Sequence, residues 1–196
     1  HSQSKLQQAT EHYIKAVSLK PKFILAFYNL GNAEREQGFF AKAIKTYSHV
    51  ISMEKDHVDA YNNMGNAYKA LGNKEKAIKC YLKAIELWPN YAGVYYNLGN
   101  VYKNQGYFKK AALSYKKAIS LNPSFAGARH MLDAVTGVKS HAAPKDYVKS
   151  LFNSYAPTFE SSLTKNLGYT IPQTLTKLIL KNSKNKALGS ILDLGC

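Results

Sequence analysis

The chain repeats itself every 34 residues, and this period constrains its fold more than any other feature. Tyr28-Asn-Leu-Gly-Asn-Ala, Asn62-Asn-Met-Gly-Asn-Ala and Tyr96-Asn-Leu-Gly-Asn-Val are near copies, with glycines at Gly31, Gly65 and Gly99. The same interval carries Phe27, Tyr61 and Tyr95, the glycines Gly38, Gly72 and Gly106, and the alanines Ala43, Ala77 and Ala111. Tyr47, Tyr81 and Tyr115 follow it too, as do Ala84 with Ala118 and Pro89 with Pro123. A unit this short cannot bury its own apolar face, so successive units must stack. Each reads as two amphipathic helices, A and B, joined by a glycine turn. Gly31 and Ala43 are expected where helix A crosses helix B, with aromatics filling the space beside them. Pro89 and Pro123 are expected to end helix B, because the residue before a proline avoids the helical region.

This pattern resembles the tetratricopeptide repeat. The resemblance implies an all-α, right-handed superhelical solenoid. Full repeats would span about 24–57, 58–91 and 92–125. The first departs most: Glu34 stands where Tyr68 and Tyr102 follow, Val50 replaces a small alanine, and Lys55 replaces the proline. Run backwards, the period puts Ala9, Tyr13, Ala16 and Pro21 on helix B of a partial repeat, 1–21. Its apolar surface at Leu6, Tyr13 and Val17 is expected to lie exposed. Run forwards, it aligns Phe125-Ala-Gly-Ala-Arg-His-Met-Leu with Tyr91-Ala-Gly-Val-Tyr-Tyr-Asn-Leu, giving a capping helix over 126–136 that Gly137 stops.

Past Gly137 the period is lost, and 138–196 reads as a linker and a second region. Pro144 suits the first position of a helix, further helices are expected over about 157–166 and 172–181, and Ser190–Cys196 reads as an apolar strand. Three stretches resemble the front of a class I S-adenosylmethionine-dependent methyltransferase of the bacterial type fused behind these repeats. They are Ala143-Pro-Lys-Asp-Tyr-Val-Lys-Ser-Leu-Phe-Asn-Ser-Tyr-Ala-Pro-Thr-Phe, Leu167-Gly-Tyr-Thr-Ile-Pro and Ile191-Leu-Asp-Leu-Gly-Cys. The resemblance implies the first strand of a Rossmann-like sheet, with Asp193 and Gly195 matching the start of its cofactor motif. The glycines that complete the motif do not follow within the chain. This stretch is therefore expected neither to bind S-adenosylmethionine nor to catalyse, and the cofactor belongs to an intact parent.

Lys+Arg number 27 against 12 Asp+Glu, a formal charge of +15. Arg35 and Arg129 are the only arginines. A lysine excess favours acidic partners in general, whereas arginine is the usual reader of phosphates and base edges. A lysine-driven nucleic-acid module is the weaker alternative. Cys80 and Cys196 exclude a disulfide scaffold, and Cys80 beside Tyr81 reads as a packing residue. The six histidines show no metal-ligand spacing, so no metal is expected. No apolar run reaches the roughly 20 residues of a membrane span, and no leader opens the chain, so a cytoplasmic protein without a membrane partner is expected.

The binding candidates recur with the period. Asn29, Asn63 and Asn97 hold one helix A position, and Asn32, Asn66 and Asn100 another. At about 100° per residue from Phe27 they lie near 200° and 140°, both directed away from helix B. Two readings follow. The amides form a ladder for the backbone of an extended peptide, or they hydrogen-bond between repeats. A similar ladder occurs in the O-linked N-acetylglucosamine transferases, whose repeats these resemble. Arg35, Lys69 and Lys103 recur beside them, with Tyr28 and Tyr96 nearby, giving a basic, aromatic groove for acidic or phosphorylated segments. Lys109, Lys110, Lys116 and Lys117 read as a solvated helix B face, and Trp88 as packing at a repeat junction. A peptide-binding module of a methyltransferase fusion is the favoured function; a pure adaptor is the alternative. Self-association through the ends is a further expectation.

Overall fold

The computed structural model describes residues 2–138. The chain divides into two compact units, His1–Pro144 and Lys145–Cys196, and the described residues lie in the first. The expected tail helices, the strand Ser190–Cys196, and Asp193 and Gly195 lie outside them.

Among the described residues eight helices follow one another: α1 (Ser2–Leu19), α2 (Ile24–Glu36), α3 (Phe40–Met53), α4 (Val58–Ala70), α5 (Lys74–Leu87), α6 (Ala92–Asn104), α7 (Phe108–Leu121) and α8 (Ala126–Thr136). No strand occurs among the described residues. At each A-to-B turn a glycine takes the left-handed conformation, with φ of 81° at Gly38, 77° at Gly72 and 78° at Gly106. The following amide reaches back to the last turn of the A helix: Phe39 N donates to Glu34 O, Asn73 N to Tyr68 O and Tyr107 N to Tyr102 O. The glycine N–H bonds the carbonyl three residues earlier, which completes a Schellman stop. A Cβ at these glycines would meet nothing within 4 Å, so backbone conformation rather than space selects glycine there.

Each B helix ends in an extended residue: Glu54 at φ −134°, Trp88 at −139° and Asn122 at −138°. Pro89 and Pro123 enforce this. Lys55 leaves it unchanged, because the His57 N–H bonds the Glu54 carbonyl as Tyr91 and Phe125 bond Trp88 and Asn122. Trp88 packs its ring 5.1 Å from Tyr91 at a repeat junction.

The apolar cores straddle the repeats. Ala43, Tyr47, Val50 and Ala60 join α3 to α4, while Ala77, Tyr81, Ala84, Val94, Leu98 and Val101 join α5 to α6. The larger Val50 is balanced one helix on. Val50 shares its cluster with Ala60, whereas Ala84 at the same position shares its cluster with Val94. Exchanging large for small across a contact conserves core volume. The helix A glycines make room for a ring. A Cβ on Gly31, Gly65 or Gly99 would lie 2.7, 2.6 and 2.6 Å from Cε1 of Tyr47, Tyr81 and Tyr115. All three tyrosines are fully buried.

Helix α2 touches α4 and α4 touches α6, while the B helices α3, α5 and α7 make no comparable contact with one another. The A helices are therefore the closer-set layer, and their free side is the inner face of a curved stack. One expectation about the first turns of the chain is corrected. Leu6, Tyr13 and Val17 are half-buried, because α1 packs on α2. Gln37 Nε2 ties the two helices, donating to Leu6 O at 3.3 Å and Thr10 Oγ1 at 2.5 Å. Ile14 and Leu19 are the large apolar residues that α1 exposes instead.

Candidate functional site

The two asparagine positions have separate roles. Asn63 Nδ2 donates to Asn32 Oδ1 at 2.9 Å and to Tyr28 Oη at 3.1 Å, both on the preceding A helix. Asn97 Nδ2 donates to Asn62 Oδ1 at 3.0 Å, again one repeat back. Asn62 is buried and donates from Nδ2 to Asn63 Oδ1 at 3.3 Å. These bonds join α2, α4 and α6 edge to edge, which is the inter-repeat reading for Asn63 and Asn97. Asn29 occupies the same position on α2, without a bonded partner among the described residues.

Asn32, Asn66 and Asn100 differ. Each carbonyl accepts a hydrogen bond from the buried tyrosine of its own B helix: Tyr47 Oη to Asn32 at 2.7 Å, Tyr81 Oη to Asn66 at 2.8 Å and Tyr115 Oη to Asn100 at 2.9 Å. This corrects the expectation that both positions turn away from helix B. The tyrosine ring slides under the helix A glycine, so its hydroxyl emerges beside the asparagine. The bond fixes which end of the amide faces outward. With Oδ1 held by tyrosine, Nδ2 carries two N–H groups without a protein acceptor among the described residues. Three oriented donors thus recur on the inner face, one per repeat.

The cations come next along the same helices. Arg35 stands beside Tyr47; burial pushes that hydroxyl up to about 12, and the guanidinium works against the rise. Arg35 Nε is buried and unpartnered among the described residues. Its one ion pair is with its exposed neighbour Glu36, at 3.6 Å. Burial, and then the charge of Arg35, draw the Lys69 ammonium below the ordinary lysine range. No carboxylate pairs with Lys69 or Lys103 among the described residues. Lys103 Nζ points to Met131 Sδ, 3.6 Å away on α8. A half-buried ammonium held near a second cation, with no carboxylate of its own, costs stability unless an anion completes it.

Tyr28 and Tyr96 are not free studs of a groove. Tyr28 lies 4.8 Å from His57 and Tyr96 lies 4.9 Å from Phe125, so both rings are engaged at repeat junctions. Lys109, Lys110, Lys116 and Lys117 are exposed on α7, off the inner face. Cys80 is buried, and burial pushes its thiol up to about 11, as suits a packing residue. Asn62 and the tyrosines Tyr47, Tyr81 and Tyr115 are the site residues that sequence reasoning missed. The break of Tyr28/Asn62/Tyr96 at one position was the available signal for Asn62. No group of three or more metal-ligating side chains occurs among the described residues.

A family profile described as TPR repeat matches residues 1–34, 31–72 and 65–106, and one described as tetratricopeptide repeat matches 92–125. The chain belongs to the tetratricopeptide-repeat family. Among solved structures it is similar to a crystal structure of MamA, at 25% identity and a TM-score of 0.65 over 82% of this chain and 92% of that one. It is also similar to the first such domain of Spaghetti (RPAP3), solved bound to an HSP90 peptide, at 21% identity and a TM-score of 0.57. That alignment covers 58% of this chain and 90% of the other. The Sgt2 domain from Aspergillus fumigatus aligns at 23% identity and a TM-score of 0.56, over 58% of this chain and 77% of that one. No curated protein matches the chain. The family matches end at residue 125, so they bear on the repeats and not on the methyltransferase reading of 138–196.

Proposed function

We propose that this chain is a tetratricopeptide-repeat adaptor whose inner face takes an extended, acidic segment of a partner protein. The observation that carries this reading is the pairing of oriented donors with an Arg35–Lys69 cation pair whose Lys69 has no carboxylate partner among the described residues. Asn32, Asn66 and Asn100 present amide N–H groups at one-repeat intervals, and backbone carbonyls of an extended strand are their natural acceptors. Arg35 and Lys69 supply charge beside them, selecting carboxylate or phosphate side chains. Asn63 and Asn97 act by fixing the spacing between helices. The repeat domain solved with an HSP90 peptide is a precedent for a peptide on this fold.

A peptide array of linear sequences graded from acidic to basic tests the proposal. Acidic sequences are expected to be retained, and retention is expected to fall in Lys69→Met. Retention without charge preference would overturn it. On the sequence resemblance of 138–196, we also propose that the parent of this chain transfers methyl groups from S-adenosylmethionine, with Asp193 and Gly195 in its cofactor motif. The adaptor role stands independently of that. The test is calorimetry of S-adenosylmethionine with a chain extended through the complete motif, for which saturable binding is expected and its absence would refute the assignment.

A further inference from the structure

The inner face is not the only surface whose sequence departs from what the fold requires. The three A-to-B turns and the end of α8 lie along one edge of the stack. Helix starts favour Ser, Thr, Asp or Asn at the N-cap, and acidic residues in the first turn. Only the middle turn obeys, with Asn73 Oδ1 accepting from Lys76 N at 3.2 Å. Phe39 and Tyr107 occupy the same position in the other two turns and form no side-chain cap. The first turns of α3, α5 and α7 carry Lys42, Lys74, Lys76, Lys109 and Lys110 against the helix dipole.

These substitutions put apolar groups into water. Phe39, Leu71, Tyr107, Phe108 and Val138 are each about half exposed along this edge. Lysine ammonium groups lie over the rings: Lys42 Nζ is 5.1 Å from the Phe39 centroid and Lys110 Nζ 5.3 Å from that of Tyr107. Glu36 and Glu75 lie in these turns and Glu34 and Asp133 in the last turns of α2 and α8, and against the five first-turn lysines the edge stays net positive. The opposite, B-to-A edge differs, since Glu54, Asp56 and Asp59 stand among its lysines.

We propose that this edge docks on an anionic lipid surface. Phe39, Leu71, Tyr107, Phe108 and Val138 enter the headgroup boundary, and the lysines pair with the negative headgroups. Aliphatic and phenyl groups suit the apolar side of that boundary, while the Tyr107 hydroxyl and the flexible lysine stems place their polar ends at its wet side. A nucleic-acid surface would favour arginine, the better reader of phosphates and base edges, whereas the first-turn cations of this edge are all lysines. No helix among the described residues is long and apolar enough to cross a membrane. Peripheral docking needs none, so this proposal departs from the expectation of no membrane partner, which rested on spanning segments. The edge uses no residue of the proposed peptide site.

Co-sedimentation with phosphatidylcholine vesicles, with and without phosphatidylserine, tests the proposal on the full chain. Binding is expected only with phosphatidylserine. Lys109→Glu with Lys110→Glu should weaken it by at least twenty-fold, given roughly five-fold per lysine near an anionic surface. Phe39→Asn with Tyr107→Asn installs two missing caps, and should weaken binding about ten-fold or more while the melting temperature holds or rises. If that variant melts lower, the aromatics serve the fold, and the exposed Lys109 and Lys110 pair becomes the deciding variant. Absent binding to phosphatidylserine vesicles overturns the proposal, as does binding unchanged in the lysine variant. A single-stranded oligonucleotide that competes fully, with both variants still binding it, would assign the edge to polyanions instead.

Discussion

Replacing Asn63 by alanine separates the two roles of the asparagines. The substitution removes donors to Asn32 Oδ1 at 2.9 Å and Tyr28 Oη at 3.1 Å. It also removes the acceptor of Asn62 Nδ2 at 3.3 Å. Two good hydrogen bonds are worth about 0.5–1.5 kcal/mol each, and leaving Nδ2 of buried Asn62 without its acceptor costs about 1 kcal/mol more. Alanine returns about 0.5 kcal/mol through helix propensity. The net loss is therefore about 2 kcal/mol, a fall in melting temperature on the order of 5–10 °C. Thermal unfolding followed by circular dichroism measures it, and a double-mutant cycle with Tyr28→Phe should show a coupling of about 0.5–1.5 kcal/mol. Affinity for an acidic peptide should change little. An unchanged or raised melting temperature would refute the assignment of Asn63 to the joint between repeats.

Three further outcomes follow from the same geometry. Gly65→Ala should destabilise by about 1–3 kcal/mol in denaturant titration, because its Cβ would lie 2.6 Å from Cε1 of a fully buried Tyr81 whose hydroxyl is tied to Asn66. Lys69→Met should hold or raise the melting temperature while reducing acidic-peptide affinity, since it removes a half-buried ammonium that lacks a partner. Stability should fall as pH rises from about 9 to 12 in alkaline titration. Burial pushes Cys80 from 9.0 to about 11, and Tyr47 and Tyr91 from 10.0 to about 12, so the folded chain keeps protons that the unfolded chain gives up. Lys69 has the opposite sign, because its folded ammonium releases its proton earlier, but it is one group against several.

The repeat made the fold legible, since each marker in it has a local cause. Gly38, Gly72 and Gly106 stop helix A through backbone conformation, and a proline forces an extended residue after helix B. The balance of Val50 against Ala60 was not legible, because the two lie on different repeats. Angles on a helical wheel placed Asn32, Asn66 and Asn100 on the A face, but a wheel has no account of a long side chain arriving from helix B. The hydroxyls of Tyr47, Tyr81 and Tyr115 cross that distance and decide which amide atom faces out. Tyr28 and Tyr96 failed as groove residues for a similar reason, since their partners His57 and Phe125 belong to the start of the next repeat. The aromatic turn residues Phe39 and Tyr107 were visible as missing caps, but only the fold shows that each keeps about half its surface exposed, Tyr107 with its ring edge on Tyr102.

The central claim is that the outward Nδ2 groups of Asn32 and Asn66 hold a partner's backbone beside Arg35 and Lys69. Replacing both asparagines by aspartate tests this most directly. The carboxylate keeps an oxygen for Tyr47 and Tyr81, so the fold and its melting temperature should hold. It also exchanges each outward donor for an acceptor and neutralises the two cations. Calorimetric titration with an acidic peptide retained on the array should show affinity falling by a factor of tens or more, at about 0.5–1.5 kcal/mol for each lost donor with charge repulsion added. An Asn32→Asp, Asn66→Asp chain that folds normally and binds that peptide as tightly as the parent would contradict the account.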